Sequence, residues 1–332
     1  MEIRVRQSLA LLALFVASCG AKTGLSIPDA SREPDAGMDA GPDSGPDSGM
    51  CMPRPLVLER RGAQIVFVID RSNSMADTLD GRMPAPGEQS RWQLVGGVLE
   101  EVLSDADPLL EIGAKFYPRW SRVEPSSPEE ACAVAGGIDL EPRRANTGAL
   151  LAVFSSTQPQ GGTPTAEALR AVRDFFATRP ASAVPRFVIL ATDGGPNCNP
   201  DTGVHHTMCL CTGDPDMCAI DPLYGPYNCI DDENTFAVIH ALFGVLGIPV
   251  YVIGIDDPTR PDLADVLDEM AVIGGRPRGE PGERRFYSVR DPGDLRGALT
   301  TITESISRCV FSVQPPPGPS DGVTVRVGDV LV

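Results

Sequence analysis

The sequence predicts an α/β fold: a doubly wound, mostly parallel sheet with helices on both faces, followed by a short C-terminal β-hairpin. Three observations predict it. "QIVFVI" (64–69), "RFVILA" (186–191) and "VYVIGI" (250–255) are continuous apolar runs, as strands covered on both faces require. Between them, apolar residues recur at helical spacing, as at Trp92, Val95, Leu99 and Val102. The chain has 332 residues and is 42% hydrophobic, enough to build a sizeable core.

The first segment is not part of that fold. Arg4 and Arg6 precede an apolar stretch, residues 9–18, that is too short to span a bilayer as a helix. It ends at small residues before Cys19. "VASC" (16–19) resembles the lipobox of bacterial lipoproteins. That resemblance implies a signal peptide over residues 1–18 and a lipidated Cys19 as first mature residue. Gly20 follows, not the aspartate that retains such proteins at the inner membrane, so an outer-membrane address is implied. An ordinary signal peptide is the alternative, and both readings export the chain. Residues 19–54 read as the lipidated cysteine and a linker. "DAGMDAGPDSGPDSGM" (35–50) repeats every four residues, with Gly or Pro in each unit forbidding a helix. A flexible coil of this length spans about 30 Å.

From residue 55 the pattern alternates, and the main domain is expected over 55–309. Strands are expected at 64–69, 111–116, 186–191, 250–255 and 285–289, with a short edge strand at 137–140. Helices are expected at 91–103, 146–156, 165–177, 235–246, 262–273 and 294–308. Asp231, Asp232 and Asn234 supply negative charge and capping to the fourth helix. His240 reads as a partly buried residue of that helix. "PPPGP" (315–319) then separates the domain from "VTVRVGDVLV" (323–332), whose alternation and Gly-Asp turn read as the hairpin.

Net charge is −17, which argues against nucleic acid and anionic membrane surfaces as direct partners. Any membrane attachment therefore comes only from the lipid anchor. Eight cysteines follow Cys19: Cys51, Cys132, Cys198, Cys209, Cys211, Cys218, Cys229 and Cys309. An even number in an exported chain points to disulfides, with roughly a hundred pairings open. Cys51 with Cys309 is the favoured pair, because they bracket the domain.

The carboxyl ends of the strands gather the chemistry. Open α/β sheets bind ligands there, where strand order reverses. "DRSNS" (70–74) follows the first strand, "GGTPT" (161–165) precedes a helix, and "TDGG" (192–195) follows the fourth strand. In the common order 3-2-1-4-5-6, strands one and four are neighbours, so Asp70 and Asp193 come side by side. Two adjoining carboxylates repel, and a hard cation relieves the repulsion. Oxygen donors without His or Cys point to Mg²⁺, or to Mn²⁺ or Ca²⁺, rather than zinc. Turn and helix capping by the same residues is the bland alternative.

These residues resemble a known set. D-x-S-x-S at Asp70, Ser72 and Ser74, with Thr163 and Asp193, looks like the metal-ion-dependent adhesion site (MIDAS) of von Willebrand factor type A (vWA) domains. The resemblance covers residues 60–308 and implies a Rossmann-like vWA fold. It implies direct metal ligation by Ser72, Ser74 and Thr163, with Asp70 and Asp193 acting directly or through water. It also implies one open coordination position for an Asp or Glu of a protein partner.

Residues 194–234 form an insertion with five cysteines, two histidines, seven acids and no Lys or Arg. "HHTMCLC" (205–211) offers zinc ligands, but Cys-x-Cys lacks knuckle spacing, and disulfide staples are the favoured reading. No G-x-S-x-G elbow, Walker lysine motif or G-x-G-x-x-G is present, so a non-enzyme is expected. A hydrolase would need His205 to fold back toward Ser72 or Ser74. The expected function is metal-dependent protein binding by an envelope lipoprotein; a metal-independent scaffold is the alternative.

Overall fold

The computed structural model describes residues 57–60, 62–106, 108–180, 182, 184–255, 260–279, 282–307, 311–314, 326–327 and 330–331. The signal segment, Cys19, the repeat linker and the Cys51–Cys309 pairing lie outside the described residues. The chain forms two compact units. In the unit made of Met1–Arg60 and Arg308–Val332, Val57–Arg60 pairs antiparallel with Phe311–Gln314. There Arg326–Val327 also pairs antiparallel with Val330–Leu331, and residues 328–329 lie outside the described residues.

The other unit, Arg61–Ser307, carries the main sheet. Its strands are β1 (Gln64–Asp70), β2 (Glu111–Tyr117), β3 (Leu140–Arg143), β4 (Arg186–Thr192), β5 (Val250–Ile255) and β6 (Tyr287–Val289). They lie in the order β3-β2-β1-β4-β5-β6, which is the 3-2-1-4-5-6 order expected of a doubly wound sheet. All neighbours are parallel except β3, which runs antiparallel to β2 at the edge.

The helices are α1 (Arg91–Ser104), α2 (Pro128–Ala131), α3 (Thr147–Ser156), α4 (Thr165–Ala177), α5 (Pro215–Ile220), α6 (Asp232–His240), α7 (Pro261–Ile273) and α8 (Pro292–Ser307). Alternate residues of β1 face opposite layers. Ile65, Phe67 and Ile69 pack with Trp92 and Leu99 of α1, Leu150 of α3 and Leu299 and Ile302 of α8. Val66 and Val68 pack with Leu169 and Val172 of α4, Val238 and Ile239 of α6 and Leu267 and Met270 of α7. Both faces of the central strands are therefore dry, which is why they read as unbroken apolar runs.

Three expected elements differ. The edge strand lies at Leu140–Arg143 instead of 137–140, because Gly137 turns the chain at φ 67. Asp139 spans the shift: its N–H donates to the Ala114 carbonyl and its carboxylate accepts the Phe116 N–H. The fourth expected helix starts earlier, at Asp232, and after His240 widens into a π turn over Ala241–Val245. His240 is exposed rather than partly buried, because it faces outward on the last turn of α6. The last strand keeps only Tyr287–Val289 of the expected 285–289.

Truncation at the centre of the sheet tests the two-layer core. Leu190 of β4 is fully buried. Leu190→Ala should lose about 2–5 kcal/mol of stability in urea unfolding, through lost transfer energy and the cavity left behind.

Candidate metal centre

β1 and β4 are the switch point of the sheet, and both end at the same edge. Asp70 is the last residue of β1 and is completely buried. Its Oδ1 accepts the Ser72 N–H at 2.8 Å, and its Oδ2 accepts the Thr192 hydroxyl at 2.7 Å. The chain then makes a 3₁₀ turn, Asn73–Ala76, which brings Ser74 back beside Ser72. Their Oγ atoms are 3.1 Å apart, and Ser74 Oγ donates to Asp193 Oδ1 at 3.0 Å. Four of the five expected residues thus form one connected set. Thr163, the fifth, is buried and lines the same cleft of about 810 Å³ as Ser72, Ser74 and Asp193.

The loop that carries Thr163 is held by close backbone contacts. Asn73 N–H donates to the Gly161 carbonyl at 3.0 Å, and Asn73 Oδ1 accepts the Gly161 N–H at 3.1 Å. Gly161 has φ 79, and a Cβ there would lie 2.3 Å from the Ala131 carbonyl oxygen. At Gly162 a Cβ would lie 2.5 Å from Cys198 Sγ. The two glycines of "GGT" are therefore backbone requirements, one conformational and one steric.

The electrostatics favour a cation. The Asp70 carboxyl is pushed up to about 7, first by burial and second by the Asp193 charge, against hydrogen bonds from Thr192 and Ser72 that pull it down. The donors are hydroxyl and carboxylate oxygens, the chemistry of a hard divalent ion. The residues present therefore fit such an ion. One cation already reaches the site: Arg91 Nη1 donates to Asp193 Oδ2 at 2.7 Å, with both side chains buried. Its Nε is buried without a partner.

The expectation that Asp70 and Asp193 lie directly side by side needs refinement. Thr192 is the residue against Asp70, and Asp193 leans away toward Ser74 and Arg91. Thr192 lies within the "TDGG" loop, but the motif gives it no role, and Arg91 and Asn197 lie outside the three loops. Arg91 carried a signal: it is the first residue of α1, after the Ser90 capping box, where the helix dipole disfavours a cation. Such a residue needs another partner, and Asp193 is it.

The insertion after Asp193 borders the cleft through Asn197, Thr212, Asp214, Met217 and Asn228. Its cysteines pair as Cys209–Cys229 and Cys211–Cys218, while Cys132–Cys198 ties it to the end of α2. Cys209, Cys218 and Cys229 sulfurs gather within 4.8 Å, but each is spent in a disulfide, which removes the thiolates zinc requires. His205 Nδ1 pairs with Thr207 Oγ1 at 2.9 Å, and His206 Nδ1 with the Cys218 carbonyl at 2.6 Å. Both histidines are engaged within the insertion.

The family model described as von Willebrand factor type A domain matches residues 64–302. The chain belongs to the vWA family. A search of curated proteins found no match. Among solved structures, it is similar to the PilB minor pilin from Streptococcus sanguinis at 17% identity and TM-score 0.48, covering 75% of this chain and 62% of that one. It is similar to the pilus adhesin SpaC from Lactobacillus rhamnosus GG at 17% identity and TM-score 0.47, covering 75% of this chain and 31% of that one. It is also similar to the manganese-loaded Plasmodium vivax TRAP protein at 14% identity and TM-score 0.42, covering 78% of each chain. This vWA chain thus spans less than two thirds of the two pilus proteins.

Gly162→Ala should displace the Thr163 loop and weaken Mg²⁺ binding by about tenfold or more in calorimetric titration. The raised Asp70 carboxyl means that the folded chain holds a proton the unfolded chain releases at lower pH. The metal-free vWA chain should therefore lose thermal stability as pH rises from about 4 to about 7. Added Mg²⁺ should restore more stability at the upper pH than at the lower, because only the ionised carboxylate favours the cation.

Proposed function

We propose that the chain is an exported, lipid-anchored protein whose vWA domain binds a protein partner through a divalent metal. The observation that carries the reading is the connected oxygen set at the sheet edge: Ser72 Oγ, Ser74 Oγ and Asp193 Oδ1 in successive contacts of 3.1 and 3.0 Å over the buried Asp70. With Thr163 these residues fill every position of a metal-ion-dependent adhesion site. Ser72, Ser74 and Thr163 would hold Mg²⁺, or Mn²⁺ or Ca²⁺, directly, with Asp70 and Asp193 neutralising its charge. Bound there, the ion supplies an open position for an Asp or Glu of the partner. Asp70 is fixed from two sides by Ser72 and Thr192, so little reorganisation is needed when a ligand arrives.

The insertion shapes one wall of the cleft and selects the partner, as loops on rigid scaffolds do. Lipidated Cys19 and the acidic linker place the domain on a tether at the outer membrane. No helix among the described residues is long and apolar enough to cross a membrane. The reading is of a binding protein and not an enzyme, since His205 and His206 pair within the insertion rather than with a serine nucleophile.

A second reading has one observation in its favour. Arg91 already places a cation on Asp193, as a metal-independent scaffold would need. A pull-down from envelope extract, run with Mg²⁺ or with EDTA, separates the two. Under the metal reading, capture requires Mg²⁺ and is lost in Asp70→Ala and Ser72→Ala chains that remain folded. Capture that survives EDTA and both substitutions would favour the scaffold.

A further inference from the structure

We infer that the Cys132–Cys198 disulfide and Asn197 are positioning elements for Thr163, and that cation affinity at the sheet edge depends on them. The inference rests on the metal reading of that site. Asp70, Ser72, Ser74 and Asp193 are held by contacts among themselves at the ends of β1 and β4. Thr163 stands on a separate loop and makes no part of that set. Something else must hold it at the right distance, since a cation site tolerates little misplacement of a ligand.

Asn197 takes both backbone groups of Thr163. Its Oδ1 accepts the Thr163 N–H at 2.7 Å, and its own N–H donates to the Thr163 carbonyl at 2.9 Å. Asn197 is in turn fixed, its Nδ2 donating to Thr212 Oγ1 at 2.8 Å. The next residue, Cys198, sits at φ 78, a left-handed conformation unusual for a side chain of its kind. Cys198 N–H donates to the Tyr227 carbonyl at 2.7 Å, and its sulfur is bonded to Cys132.

The bridge closes the other side of the loop. Cys132 follows Ala131, whose carbonyl accepts the Gly162 N–H at 3.0 Å. Gly162 lies against both sulfurs: a Cβ on it would be 2.5 Å from Cys198 Sγ and 3.3 Å from Cys132 Sγ. Tyr227 Oη donates to Glu129 Oε1 at 2.8 Å, a second tie between the insertion and α2. The loop is thus clasped between the end of α2 and the start of the insertion, and the disulfide locks the clasp. Cys209–Cys229 and Cys211–Cys218 lie wholly within the insertion, and neither is among the nearest neighbours of a Cβ on Gly162.

The test compares the full wild-type chain with Cys132→Ser/Cys198→Ser, with Asn197→Ala, and with the control Cys211→Ser/Cys218→Ser. Amide exchange is read in the metal-free proteins and Mn²⁺ affinity by calorimetry. In the first two variants the Gly162 and Thr163 amides should exchange about tenfold faster or more, while amides of β4 keep their protection. Mn²⁺ affinity should fall about 10- to 100-fold in both. The control should keep wild-type values for both readouts. Asn197→Ala retains the bridge, so it decides the matter if the double serine variant does not fold. Unchanged exchange at Gly162 and Thr163, or equal losses in the control, would overturn the inference. Should the wild type bind no Mn²⁺, the functional reading falls and the exchange measurement alone decides the positioning.

Discussion

A carboxylate buried at the end of the central strand governs this molecule. Asp70 is taken out of water by the same sheet that makes the core, and a second carboxylate, Asp193, stands close enough to raise its proton affinity. Burial of an ion without compensation is among the costliest things a fold can do. The surroundings answer that cost in layers: the Thr192 hydroxyl and Ser72 N–H on Asp70, Ser74 and Arg91 on Asp193. On the proposed reading, what the layers leave over suits a small hard cation at the mouth of the cleft.

The rest of the domain frames that point. The strand order puts β1 and β4 together, so two distant segments end within hydrogen-bonding reach. The third segment arrives from the far side, on a loop whose two glycines allow it to press against Ala131 and the Cys132–Cys198 bridge. Arg260, just before α7, donates to the Cys211 and Gly213 carbonyls and so ties the insertion to the helical layer. With a net charge of −17 on the whole chain, long-range forces oppose an acidic partner. On the proposed reading, attraction would come from short range, at the cation itself, and binding would depend on the site rather than on the surface.

Much of this was legible because local chemistry and periodicity carry it. Buried strands such as 64–69 and 250–255 announce themselves by composition, and the strand order follows from the common doubly wound pattern. Asp70, Ser72, Ser74, Thr163 and Asp193 are short-motif residues with fixed spacing. Arg91 and Asp193 are 102 residues apart, and nothing local links them. The one trace was a cation at a helix N-terminus, where it does not belong unless paired. Thr192 owes its role to strand register, and Asn197 to the path of the insertion; neither can be read from composition. The disulfide pairing was open for the same reason, since it depends on which loops the fold brings together. The edge strand was misplaced by three residues because Pro142 and the turn at Gly137 decide pairing there, not hydrophobic pattern.

The most direct measurement is anomalous diffraction from crystals of the chain grown with Mn²⁺. The account predicts a single strong peak enclosed by Ser72 Oγ, Ser74 Oγ and the Thr163 hydroxyl, with Asp70 and Asp193 beside it. A cleft without such a peak at saturating Mn²⁺, with Arg91 alone neutralising Asp193, would contradict it.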